Sequence, residues 1–166
     1  RAQRPDTLIA FESMYGAFVG GASGYLAELN THADVIGVSY YPINDDFSVR
    51  PPRAVNDDIA ALVAAVPEKP IYFYQFGYPS SELLGSSEAM QAEFIRESFA
   101  AWDTHADRVK MIDFTWLTNH SDAEIDGFED YYGYHDERFS AFLGSLGFRY
   151  HDGTEKEALN ALREET

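Results

Sequence analysis

The sequence predicts an α/β protein with a parallel sheet, and three observations lead to this class. Four short apolar runs, near residues 7–12, 34–41, 70–76 and 109–117, alternate with segments whose apolar residues have helical spacing. This strand–helix alternation is typical of βαβ units. The two middle runs are almost continuously apolar, as expected for strands that are covered on both faces. The length of 166 residues suits a single domain, 1–166, with a sizeable core.

Each of the first two strands is followed by a predicted helix. Four glycines come after the first strand and precede a short helix near 25–31. A polar loop ending at Pro51 and Pro52 comes after the second strand. The helix near 55–66 ends at Pro67, because proline cannot continue a helix.

The second half of the chain repeats this order. A serine N-cap precedes a predicted helix over 88–105. The fourth strand leads into an acidic and aromatic segment, 118–134, for which the sequence predicts a solvated loop. Two further helical stretches are expected, one starting near Glu137 and one over 155–164.

The charge and composition argue against several classes of function. Twelve Lys and Arg against 28 Asp and Glu give a formal net charge of −16, which disfavours nucleic acid and an anionic membrane surface as partners. The chain has no Cys, and its five His are widely separated. Its glycines match no phosphate-binding loop. We therefore expect no metal, no cofactor, no nucleic acid and no membrane.

Three segments stand at the ends of predicted strands: 34–42 (DVIGVSYYP), 69–81 (KPIYFYQFGYPSS) and 111–116 (MIDFTW). In this order they resemble strands six, seven and eight of the clan A glycoside hydrolases. These are retaining (β/α)8-barrel enzymes that include the endo-β-1,4-galactanases. On this alignment 7–12 is strand five. The resemblance implies a parallel (βα)4 half of a TIM barrel, strands five to eight, with its site at the carboxyl ends of the strands.

The resemblance also implies that both catalytic carboxylates are missing. Retaining glycosidases use two carboxyl groups. In this family the acid/base follows strand four, which has no counterpart here, and the nucleophile ends strand seven, where this sequence has Gln75. An amide cannot act as that nucleophile. We therefore predict a glycoside hydrolase-like half-barrel that is inactive alone and retains oligosaccharide binding.

Gln75 leaves three interpretations open. It is an engineered knock-out, a natural loss of activity, or a structural Gln that does not occupy the nucleophile position. A non-catalytic α/β module that self-assembles, with no sugar chemistry, is the alternative function.

Strand alternation predicts which side chains share the site. On the second strand it places Tyr41 beside Gln75, and by resemblance the Tyr41 hydroxyl would orient the nucleophile. On the third strand it turns Gln75 inward together with Ile71 and Phe73. The residues left under the helices as core are Tyr72, Tyr74 and Phe76.

Four residues are candidates for contacts with a sugar: Tyr40, Trp116, Glu12 and Asn119. Trp116, at a strand end, offers a flat apolar surface for a pyranose ring, and a core Trp is the alternative. Glu12 follows the first strand, where an exposed or ion-paired Glu is the alternative. Asn119 lies in a loop and equally fits a capped turn. Tyr40 equally fits packing between the sheet and the helices.

A half-barrel would have open parallel edges at its first and fourth strands. We expect these edges to be covered by a second copy in a homodimer or by the missing N-terminal half-barrel. The sequence does not fix the compartment, although the resembling enzymes are often secreted or periplasmic.

Overall fold

The computed structural model of the chain describes residues 6–166, which contain a four-stranded parallel sheet. The strands are β1 (Ala10–Met14), β2 (Val35–Tyr40), β3 (Ile71–Phe76) and β4 (Val109–Phe114). They lie in the order β1-β2-β3-β4, and each neighbouring pair is parallel. The predicted (βα)4 arrangement is confirmed. The strand predicted over 109–117 ends earlier, at Phe114, and the strand predicted over 7–12 begins later, at Ala10.

Seven helices occur in the described residues. They are α1 (Tyr15–Val19), α2 (Ser23–Asn30), α3 (Ala54–Ala65), α4 (Glu88–Thr104), α5 (Asp122–Tyr132), α6 (Glu137–Leu143) and α7 (Glu157–Glu165). A short 3₁₀ turn, Glu82–Leu84, follows β3. Among residues 6–166, no helix has both the length and the apolar sequence that a membrane span requires.

The main core lies between one face of the sheet and the helices. Phe73 and Phe76 of β3 contact each other with ring centroids 5.0 Å apart, and Phe76 stacks on Phe94 of α4 at 5.1 Å. Ile36 and Val38 of β2 are buried in the same cluster. Because the strands are packed in this way, they hold the residues at their carboxyl ends in fixed positions.

The buried carboxylate of Asp58 connects four segments of the chain through hydrogen bonds: α1, β2, α3 and the loop between β2 and α3. Asp58 of α3 accepts hydrogen bonds from the hydroxyls of Tyr15 (3.0 Å) and Tyr40 (2.8 Å). It also accepts two from the Arg50 guanidinium, at 2.6 and 3.1 Å. Every lone-pair direction of the buried carboxylate is therefore used, as its burial requires.

The segment 118–134 corrects the sequence analysis, because helix α5 occupies most of the predicted loop. Ser121 and Glu124 form a capping box: Ser121 Oγ accepts from the Glu124 N–H (3.3 Å), and the Glu124 carboxylate accepts from the Ser121 N–H (2.8 Å). Gly133 ends the helix with φ of 63°, a conformation that glycine adopts without strain.

Candidate functional site

An irregularity in β3 determines which of its side chains face the site. Phe73 pairs with Val38 but Gln75 pairs with Ser39, so β3 has one extra residue at this point. As a result Tyr74 and Gln75 both line one cavity, and the chain returns to the core at Phe76.

This irregularity corrects part of the predicted alternation. Ile71 and Phe73, which were expected beside Gln75, are fully buried in the core under the helices. Tyr72 and Tyr74, which were expected in that core, are half-buried and contact each other on the opposite face with ring centroids 6.2 Å apart. Strict alternation fails here because it assumes a strand without a bulge.

Tyr41 and Gln75 are in direct contact. The Tyr41 hydroxyl donates a hydrogen bond to Gln75 Oε1 at 3.1 Å. Burial raises the pKa of Tyr41, a hydrogen bond from Thr115 opposes this, and the nearby carboxylates of Glu12 and Asp113 raise it further. The hydroxyl is therefore a proton donor at neutral pH, fixed beside the amide.

Glu12 lies in the middle of β1 and does not follow it, because the strand extends to Met14. Its carboxylate accepts a hydrogen bond of 2.5 Å from Ser39 Oγ on β2. The Glu12 side chain is exposed and close enough to Tyr41 to act on its pKa, but it is not among the residues that line the cavity.

Trp116 lies two residues after the end of β4 and forms part of the cavity wall. Its ring is nearly parallel to that of Phe128 of α5, with centroids 6.0 Å apart and 12° between the planes. The His120 ring meets it edge-on at 4.0 Å. The indole is thus held in place by two rings and remains half-buried, with surface left for a ligand.

The cavity itself has a volume of about 700 Å³ and lies beyond the carboxyl ends of β2, β3 and β4. Its walls are mainly aromatic, and its polar groups include Gln75, Asp113 and Thr115. The aromatic residues that line it are Tyr41, Phe47, Tyr74, Phe114, Trp116, Phe128, Tyr132, Tyr134, Phe139 and Phe142. Its size and lining are those of a small-molecule site with a few orienting polar groups.

Sequence reasoning missed most of these lining residues. Asp113 is the clearest omission, since a carboxylate between the apolar residues Ile112 and Phe114 of a strand is itself a signal. The rings from α5 and α6 were missed because the first of these segments was interpreted as a loop.

The structure removes Tyr40 from the candidate contacts. Its side chain is 1% exposed and packs between β2 and the helices, where its hydroxyl donates to Asp58. Burial raises its pKa far above the ordinary range, with the Asp58 charge adding to the effect. A buried, fully hydrogen-bonded hydroxyl has no surface to present to a ligand.

Asn119 has a different position from the one expected for a sugar contact. Its carboxamide oxygen accepts from the Gly147 N–H (2.9 Å) and from Lys156 Nζ (3.0 Å), outside the aromatic cavity. Lys156 is 1% exposed and also donates to Ser80 Oγ and the Ser145 carbonyl. Burial lowers the pKa of Lys156 to about 8. Asn119 therefore joins the segment after Trp116 to the C-terminal part of the chain.

Among residues 6–166, no group of three or more His, Asp and Glu side chains is arranged to hold a metal ion.

Comparison with solved structures identifies the architecture to which these four strands belong. Xylanase 10B from Thermotoga maritima is similar over 97% of this chain and 47% of its own, with a TM-score of 0.61 and 16% identity. The family 17 β-1,3-glucanosyltransferase from Rhizomucor miehei is similar over 90% of this chain and 48% of its own, with a TM-score of 0.58 and 13% identity. The fold is a parallel (βα)4 half-barrel like one half of the TIM barrels of these glycoside hydrolases.

The half-barrel matches enzymes of several specificities. The β-glucuronidase of Ruminococcus gnavus is similar over 94% of this chain and 25% of its own, with a TM-score of 0.60 and 14% identity. This chain therefore spans half of these proteins or less, and identities this low show a shared fold alone. No family model matches the sequence. No curated protein matches it either.

Proposed function

We propose that this half-barrel binds neutral β-linked oligosaccharides in the aromatic cavity and does not hydrolyse them by itself. The observation that carries the proposal is the presence of Trp116 and the Tyr41–Gln75 pair in one cavity at the carboxyl ends of parallel strands. This is the end of an α/β barrel at which ligands bind.

The cavity lining favours a neutral sugar over other ligands. Aromatic rings offer flat apolar faces to the C–H groups of a pyranose, while Gln75, Asp113 and Thr115 supply hydrogen-bonding groups for hydroxyls. The net charge of −16 disfavours uronates and other anionic ligands. The structures similar to this chain include enzymes named for β-1,4-xylan and β-1,3-glucan. The motifs of the sequence add β-1,4-galactan as a third candidate.

Binding without hydrolysis follows from the group at position 75. If Gln75 occupies the nucleophile position, its amide keeps the size and hydrogen-bonding capacity of a Glu but cannot form a glycosyl–enzyme bond. A retaining mechanism needs two carboxyl groups about 5–5.5 Å apart. We therefore assign to Gln75 and Tyr41 the binding of sugar hydroxyls instead of catalysis.

The two tryptophans of the chain provide a matched test of the site. We expect Trp116→Ala to weaken oligosaccharide binding about thirtyfold, equivalent to about 2 kcal/mol, because it removes the stacking surface. Trp102→Phe should leave binding unchanged, because Trp102 lies on α4 and donates its Nε1–H to the Val109 carbonyl at 2.9 Å, outside the cavity. Calorimetric titration measures the affinity of both variants, and indole fluorescence shows which Trp lies beside the bound sugar.

The titration uses xylotriose, laminaritriose and β-1,4-galactotriose. A fluorescence change in the Trp102→Phe protein that is absent from the Trp116→Ala protein supports the site. A change that follows Trp102 instead, or no change with any of the three sugars, contradicts it.

The same proposal includes a second half-barrel that covers the open edges of the sheet. Within residues 6–166, β1 and β4 each have a neighbouring strand on one side only, and exposed apolar side chains lie on β1 and just before it at Leu8, Phe11 and Met14. Two copies related by a two-fold axis along the strands would pair β1 of one with β4 of the other in parallel and close the sheet.

Light scattering at micromolar concentration tests this pairing. We expect a mass twice that of the chain, and we expect added salt to favour the pair, because each copy carries a charge of −16. A monomeric mass at every salt concentration would contradict the pairing of two copies. The partner that covers the edges would then be an N-terminal half-barrel of different sequence.

A further inference from the structure

A second groove lies on α5, next to the aromatic cavity. It has a volume of about 410 Å³. The residues that line it are His120, Glu124, Gly127, Phe128, Tyr131 and Tyr132. Phe128 and Tyr132 also line the aromatic cavity, so the two concave surfaces meet along these two side chains.

The groove exposes two tyrosine rings that are in contact with each other. Tyr131 is 80% exposed and Tyr132 is 62% exposed, with ring centroids 5.0 Å apart and 82° between the planes. Contiguous exposed aromatic surface of this kind marks a binding surface more often than isolated apolar side chains do. Because the two rings are nearly perpendicular, they form a corner and not a flat patch.

Gly127 makes the groove deep enough to hold a ligand. A Cβ built at this position would have no atom within 4 Å outside its own helix, so any side chain would project into open space. Gly in a helix interior is less favourable than Ala, and no close contact of a Cβ at this position requires it here. The missing side chain leaves a notch between Glu124 and Tyr131, one turn to each side.

The polar groups of the groove suit hydroxyl groups. Oε2 of Glu124 accepts from the N–H and the hydroxyl of Ser121, both at 2.8 Å. These hydrogen bonds hold the pKa of Glu124 below its usual range, so the carboxylate is ionised. Nδ1 of His120 lies 3.5 Å from the same Glu124 oxygen. An ionised acceptor beside two aromatic rings is the combination that binds a neutral polyol.

We infer that this groove binds the sugar units of an oligosaccharide that extend beyond the aromatic cavity. The inference rests on the proposed function, because the oligosaccharide would extend from the aromatic cavity into the groove over Phe128 and Tyr132. The ligand is neutral, since the acidic residues of α5, including Asp126 and Asp130, would repel an anionic polymer. The groove therefore sets the length of glycan that is bound most tightly.

The test compares the affinities of Tyr131→Ala and of a control variant for a long and a short oligosaccharide. Affinity for xylohexaose or laminarihexaose should fall about five- to tenfold, the effect of one stacking ring, while affinity for the matching triose stays unchanged. Tyr25→Ala is the control: Tyr25 is 65% exposed on α2 and lines neither surface. Gly127→Leu, which fills the notch and favours the helix, should reproduce the loss.

The outcomes separate this inference from the proposed function. Binding of trioses by the unmodified protein tests the aromatic cavity, and the ratio of hexaose to triose affinity tests the groove. An unchanged ratio in Tyr131→Ala and Gly127→Leu, or no sugar binding at all, overturns the inference. A change in molecular mass caused by Tyr131→Ala would also overturn it, by assigning the surface to contacts between copies.

Discussion

Asp58→Ala is expected to lower the free energy of unfolding by about 3 kcal/mol, one of the two largest effects in this fold. The substitution leaves the Tyr40 hydroxyl buried without an acceptor and the Arg50 guanidinium without its counter-ion. The value is at the lower end for broken buried ion pairs because Arg50 is about one-third exposed and regains water.

Asp57 supplies the control for this prediction, since it is adjacent in sequence and exposed. Asp57→Ala should cost under about 1 kcal/mol, the contribution of a carboxylate in the first turn of a helix. Urea unfolding followed by circular dichroism measures both variants. Equal midpoints for the two proteins would show that the buried network does not stabilise the fold.

Gly147→Ala is expected to destabilise the protein by about 3 kcal/mol and to weaken sugar binding at the same time. A Cβ at Gly147 would lie 2.3 Å from the backbone nitrogen of Asn119 and 2.5 Å from the carbonyl carbon of Thr118. Backbone atoms cannot rotate away, so the segment that follows Trp116 must move.

A second glycine-to-alanine substitution separates this clash from a general effect of the change. Gly127→Ala meets no atom within 4 Å and lies inside α5, so it should raise the free energy of unfolding by up to about 1 kcal/mol. Thermal unfolding and a triose titration are the measurements. A Gly147→Ala protein as stable as the unmodified chain would contradict the close approach of the two segments.

The fold was predictable because its signals are local. The apolar runs that became β2 and β3 could not be covered by anything except helices, and Pro67 marked the end of α3 to within two residues. Helix α5 was missed even though Ser121 and Glu124 have the spacing of a capping box, because the acidic composition of the segment was given more weight than its cap.

The site was less predictable, because its composition depends on one inserted residue. Tyr41 was predicted beside Gln75, and the two are in contact, but the irregularity in β3 gives Gln75 other neighbours on its face than strict alternation does. Tyr74 therefore lines the cavity, where alternation predicted Phe73, and Phe73 is buried in the core. A bulge has no clear sequence signature. The position of Asn119 depends on Gly147 and Lys156, which are distant in sequence and could not be paired with it from the chain alone.

The most direct test of the central claim is calorimetric titration of the unmodified chain with xylotriose, laminaritriose and β-1,4-galactotriose. We predict saturable binding of at least one of them, with a dissociation constant below about 1 mM, together with no release of reducing sugar over the same period. The absence of binding by all three would contradict a sugar site in the aromatic cavity. Release of reducing sugar would contradict the assignment of Gln75 as a binding group in a half-barrel without hydrolytic activity.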